Sequence, residues 1–132
     1  MATYNKFNAW ADTMVEAANL ATDQFTLALS NVAPVATNSV LADITQIAYT
    51  NLSARNFTTA SSSQTGGTYT LVLNDLVVTA SGPVATFRYA VIYDDTVAGD
   101  PLVGWWDYGS SITMANAETF TVDFTGAAIT LS

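Results

Sequence analysis

Four runs of this chain alternate apolar and polar residues with a period of two, and that alternation limits the fold more than any other feature. "FTLALS" (25–30) sets Phe25, Leu27 and Leu29 against Thr26, Ala28 and Ser30, and "TYTLVL" (68–73) aligns Tyr69, Leu71 and Leu73. "FRYAVIY" (87–93) gives Phe87, Tyr89, Val91 and Tyr93; "TFTVDF" (119–124) gives Phe120, Val122 and Phe124 against Thr119, Thr121 and Asp123. Successive side chains of a strand point to opposite sides, so each run predicts a strand with one dry face. Turn-forming stretches separate them: "NVAPVATNS", "TGG" at 65–67, "ASGP" at 80–83, "DDTVAGDP" at 94–101 and "MANAE" at 114–118. Short strands at this spacing predict a mainly β fold, an antiparallel β-sandwich or a partly closed barrel.

The N-terminal stretch has a different period. Phe7, Trp10, Ala11, Met14, Val15 and Ala18 recur at three- and four-residue spacing, with Asp12, Glu16 and Asn19 on the other side. This predicts one amphipathic α-helix from Tyr4 to about Leu20. It should pack on the sandwich or on another subunit. The expected organisation is a single domain over 1–132, with a helical N-terminal segment (1–22) and a β-sandwich (23–132). Residues 40–49 fit a short helix or an irregular strand equally and read as an ordered connection. A chain of 132 residues can bury one core without metals or disulfides.

Composition narrows the chemistry. The basic residues are Lys6, Arg55 and Arg88 against eleven acids, a formal charge of -8. That balance argues against nucleic acid as a partner, since phosphate neutralisation needs clustered Lys and Arg. Ser and Thr supply much of the polar surface, and hydroxyls are less costly to desolvate than charges. No apolar run approaches the roughly 18 residues of a membrane helix, and the start lacks the pattern of a secretory signal. The expectation is a soluble protein made in the cytoplasm, with no membrane partner.

Cysteine and histidine are absent, which removes nucleophilic triads that use them, thiolate metal sites and disulfides. Carboxylates remain. Asp94, Asp95 and Asp100 share one turn, and Asp107 and Glu118 flank later strands; acids in a Gly- and Pro-containing turn read as solvated turn residues rather than as a catalytic pair. No calcium-loop spacing is present, and "TGG" and "SGP" lack the strand, helix and Lys of a phosphate loop. The sequence predicts no enzyme, cofactor or metal.

The stretch "DPLVGWWDYGSS" (100–111) concentrates aromatic side chains. Neighbours in a strand face opposite ways, so Trp105 and Trp106 cannot form one flat platform. One is expected to join Val103 in the core, and the other to project with Leu102 and Tyr108; Trp105 is assigned inward and Trp106 outward. A sugar-stacking platform would place its rings at alternating positions. Three readings stay open: a protein–protein contact, core packing and a small-ligand site. For the first, the candidate interface residues are Trp106, Tyr108, Leu102, Phe7 and Trp10.

The segments "YNKFNAW", "LALSNVAPVATNSVLADITQIA" and above all "FRYAVIYDDTVAGDPLVGWWDYGSSITMANAETFTVDF" resemble small structural proteins of tailed bacteriophages, specifically head decoration (capsid cement) proteins. The resemblance covers most of the chain. It implies a β-sandwich or jelly-roll-like body, assembled as a homotrimer, that binds the major capsid protein on the capsid exterior and stabilises the shell. The alternative within the same source is a fibre or tail-associated module that binds a host glycan.

Overall fold

The computed structural model describes residues 3–131. It is mainly β, antiparallel throughout, and sandwich-like, with one α-helix near the N-terminus. The strands are β1 (Thr3–Lys6), β2 (Phe25–Ser30), β3 (Thr59–Thr65), β4 (Thr68–Leu73), β5 (Leu76–Thr79), β6 (Phe87–Asp94), β7 (Leu102–Ile112), β8 (Thr119–Val122) and β9 (Ile129–Leu131), with α1 at Trp10–Glu16. They form a four-stranded sheet β1-β7-β6-β2, a three-stranded sheet β3-β4-β9 and a pair β5-β8.

The main core gathers Leu27 and Leu29 of β2, Phe87, Ala90 and Ile92 of β6 and Val103 of β7 against Leu71 and Leu73 of β4, Val78 of β5, Val122 of β8 and Ile129 of β9. The opposite face of the four-stranded sheet is dry as well. There Ala28, Val91, Tyr93 and Leu102 pack with Phe7 and Ile44, and Leu41 and Trp105 border them. All six residues of β2 are therefore buried, although its sequence alternates. The connection 31–58 supplies that cover, through a short 3₁₀ turn at Leu41–Asp43 and isolated bridges from Val40 to Pro101 and from Ser30 to Gln46.

Two expectations are corrected here. Residues 3–6 form strand β1 on the edge of the large sheet, paired with Asp107–Gly104 of β7, and the helix begins only at Trp10. Backbone pairing outweighs the helical pattern in this stretch because the edge of β7 offers unpaired N–H and C=O groups and Tyr4 finds an aromatic neighbour across the pair. The helix has seven residues and no side-chain cap, and Val15 is 72% exposed, so within it Trp10 and Met14 carry the apolar contacts, which Ala18 extends just beyond its end.

Strands β6 and β7 also depart from simple alternation. Ile92 pairs with Gly104 and Tyr93 with Leu102, leaving Val103 as an extra residue. Such a bulge shifts the alternation by one. Leu102 consequently shares a face with Trp105, and Val103 shares one with Trp106. A second irregularity between Phe87 and Tyr89 turns Phe87 into the main core with Ala90 and Ile92, while Val91 and Tyr93 face the other way.

The β3–β4 hairpin closes through Gly66 and Gly67, at φ of 59° and 86°, the conformation of the tight two-residue turn that suits strand twist. Between Arg55 and Asp75 no residue is charged. Among the described residues, strand β3 pairs only with β4 and leaves one edge open.

The second dry face gives a direct test. Phe7 is fully buried beneath the sheet, its ring 4.5 Å from that of Trp105. Phe7→Ala should lower unfolding stability by ~3–5 kcal/mol. Thr121→Ala, at an exposed position of β8, should stay within ~0.5 kcal/mol of wild type in the same denaturant melts.

Candidate binding groove

At the β1–β7 edge, four aromatic residues border an open groove of about 420 Å³: Tyr4, Trp106, Tyr108 and Phe120. Tyr4 and Trp106 are register partners across the strand pair, with ring centroids 5.0 Å apart and planes at 57°. On its other side Trp106 meets Phe124 edge-on at 5.7 Å. Tyr108 stands over Phe120 at 6.1 Å, and Phe120 is anchored in turn on core residue Phe87 at 5.1 Å. Thr121, Asp123 and Thr125 form the polar wall.

Gly104 positions Tyr4. It lies two residues before Trp106, and a Cβ there would overlap the hydroxyl and ring of Tyr4. Glycine leaves room for the phenol to lie across β7. The hydroxyl end is shielded enough for burial to push the phenol up to about 12. The ring nevertheless keeps surface: Tyr4 is 41% exposed and Tyr108 53%.

Of the five residues expected at an interface, the structure brings Trp106 and Tyr108 together in this groove. Leu102, Phe7 and Trp10 are buried inside the chain. Leu102 and Phe7 sit beneath the second face of the sheet, and Trp10 stacks edge-on against Phe25 in the main core at 6.1 Å. Trp105 and Trp106 do face opposite sides, but both are half-buried, and it is Trp106 that accompanies Val103. Sequence reasoning missed Tyr4, which reads as helical, and the groove role of Phe120, assigned wholly to the core. The available signal was the criterion of alternating rings: Trp106 and Tyr108 satisfy it two residues apart, and Tyr4 extends the set from the neighbouring strand.

The acids expected as solvated turn residues divide. Asp95 is exposed, but Asp94 has no accessible surface. One Asp94 oxygen accepts from the backbone N–H groups of Thr96 and Val97; the other has no donor and lies within hydrogen-bonding reach of the buried Asp23 carboxyl. Asp23 itself accepts from the Asn19 N–H at 2.9 Å. Burial first, and the neighbouring Asp23 carboxyl second, push Asp94 up to about 7, so one proton between the two acids supplies the missing donor. Asp107 is different. Arg88 donates two hydrogen bonds to it, at 2.8 and 3.1 Å, and this pairing holds its carboxyl below the ordinary range. Glu118 accepts from the Ala115 N–H in its own turn. Among the described residues no group of three or more Asp and Glu side chains is placed to hold a metal ion.

Comparison with protein-family models, with curated proteins and with solved structures returns no match to this chain.

Two outcomes follow from this geometry. Gly104→Ala should force the Tyr4 ring off β7 and destabilise the fold by ~1–3 kcal/mol, visible as a lower melting temperature together with shifted Tyr4 ring resonances. The acid pair sets a pH dependence. Folding raises Asp94 from its ordinary 3.8 to about 7, so the native state binds the extra proton across that interval and stability falls as pH rises through it. Melting temperatures should decline from mildly acidic to neutral pH and then level off, and Asp94→Asn should remove most of that decline.

Proposed function

We propose that this protein is a non-enzymatic structural component of a tailed-phage virion, made in the host cytoplasm, that binds the exterior of the capsid as a homotrimer and reinforces the shell. The resemblance of residues 87–124 to head decoration proteins supports this source. The structural observation that carries the reading is the β3–β4 hairpin, which has no charged residue although the chain carries a formal charge of -8. Its outer strand, "TASSSQT", is largely exposed and pairs on one side only.

Exposed strand edges usually carry Lys, Pro or another guard against pairing. Apart from a bulge near its start, β3 has none of these. Its open N–H and C=O groups suit addition of an extended segment of the major capsid protein, a mode in which main-chain hydrogen bonds supply affinity. Hydroxyl side chains are removed from water there at lower cost than ions. The hairpin itself carries no Asp, Glu, Lys or Arg that docking would have to desolvate.

The test is co-sedimentation with capsids stripped of accessory proteins. Wild-type protein should bind saturably, in multiples of three copies per site. The double change Ser61→Lys and Ser63→Lys, at exposed positions of β3, should weaken binding about tenfold or more, the factor that 1.4 kcal/mol represents. Failure of wild-type protein to bind overturns the reading, and full binding by the double variant moves the contact away from β3.

A further inference from the structure

The aromatic groove has two kinds of wall, and packing explains only one of them. Val122 and Ala90 on its floor are buried core residues, and Phe120 rests on Phe87. Tyr4 and Tyr108, by contrast, are open to solvent, and Thr121, Asp123 and Thr125 are exposed beside them. We propose that the groove binds a neutral pyranose sugar, whose C–H face stacks on the rings and whose hydroxyls bond to the polar wall.

A pyranose has the same division of surface. Its axial C–H groups make an apolar face that suits the electron-rich face of an aromatic ring, while its edge carries hydroxyls. An ionised carboxylate such as Asp123 accepts from two hydroxyls at once, and threonine hydroxyls both donate and accept. Thr121 and Asp123 are two residues apart at the end of β8, roughly 7 Å along a strand, so they address different hydroxyls of one ring. The volume of about 420 Å³ lies within the range of small-molecule sites. Trp106, wedged between Tyr4 and Phe124, is already fixed in place, which reduces the entropy lost on binding.

Charge selects against the other occupants. No Lys or Arg borders the groove. Arg88 is engaged by Asp107, and Arg55 lies over the Tyr49 ring and donates to the Leu27 carbonyl. A phosphate or uronate would meet Asp123 and a net charge of -8 without a counter-ion. An apolar peptide segment would cover the rings but desolvate Asp123 without compensation. A quaternary ammonium group would use the rings and Asp123 but leave both threonines idle.

The experiment is a saturation-transfer NMR and calorimetric titration of the full chain with D-glucose, D-galactose, D-mannose, N-acetyl-D-glucosamine and their β-linked disaccharides, with choline as the cationic comparison. At least one neutral sugar should bind with an affinity that added salt leaves unchanged. Tyr108→Ala and Asp123→Asn should each weaken it about tenfold or more while melting as wild type does. Capsid co-sedimentation by the same two variants should be unaffected, since β3 is a separate surface. The proposal is overturned if no neutral sugar binds, if both variants bind as well as wild type, or if choline binds more tightly and with strong salt dependence. Loss of capsid attachment in Tyr108→Ala, without sugar binding by wild type, would also overturn it and assign the groove to protein contact.

Discussion

The extra residue at Val103 is the constraint on which the rest of this structure depends. A strictly alternating β7 would place Leu102 with Trp106 and Val103 with Trp105. With Val103 bulged out of register against β6, Leu102 and Trp105 fall on one face and Val103 and Trp106 on the other. The four-stranded sheet can then be dry on both sides. Trp105 stacks on Phe7 beneath it, and Trp106 shares the face of Val103, held between Tyr4 of the neighbouring strand β1 and Phe124, which follows β8. Bulges concentrate where a side chain has to be re-aimed, and here two adjacent tryptophans are directed to different tasks.

Burying both faces of a sheet in so acidic a chain has an electrostatic consequence. The end of β6 lies deep enough that Asp94 loses all contact with water, and the turn leading into β2 brings Asp23 against it. Two ionised carboxylates at such a site repel without relief, whereas a shared proton turns repulsion into a hydrogen bond. The pair then holds two loops together. Asp94 gathers the N–H groups of Thr96 and Val97, Asp95 donates its N–H to the Gln24 carbonyl, and the Thr96 hydroxyl accepts from the Gln24 N–H. The few cations are used elsewhere: Arg88 clamps Asp107 at the start of the exposed part of β7, and Arg55 tethers the strand-like segment beside β2.

The sequence made the fold class legible because period-two alternation is a direct projection of a half-buried strand. The run 119–124 behaves as its pattern predicts: Phe120, Val122 and Phe124 pack against the core, and Thr119, Thr121 and Asp123 are exposed. Strand β3 was illegible from hydrophobicity, since "TASSSQT" has almost none; only the paired glycines that follow it signal a hairpin. Strands β1, β5 and β9 have three or four residues each, too short for alternation to distinguish them from loop. In β1 a helical pattern competes as well, and the deciding factor is a partner strand about a hundred positions away. The bulge is invisible for a related reason. Which residue is supernumerary depends on the register of β6, and Gly104 and Val103 are equal candidates until the partner is in place. Of the five expected contact residues, Tyr108 stays exposed because β7 runs beyond β1, and Trp106, paired with Tyr4, stays half-buried at the groove; Leu102 and Phe7 are drawn under the second face by the cover from 31–58, and Trp10 enters the main core against Phe25.

The position of Tyr4 separates function from stability most clearly. A tyrosine at a sheet edge is commonly accommodated by turning its ring onto apolar neighbours, and an alanine or valine at 104 would have continued a dry strand face at that point. The chain instead has glycine there, which weakens a strand interior and contributes no packing of its own. The space so left is filled by the phenol end of Tyr4, while the ring face remains open beside Trp106. Stability would be served better by a side chain at 104 and a smaller residue at 4. The arrangement present keeps an aromatic surface in water, held rigidly at a defined angle to a second ring and opposite a carboxylate. Such surface remains unfavourable to solvate until something covers it, and the mixture of ring faces and oxygen groups determines what that something has to be.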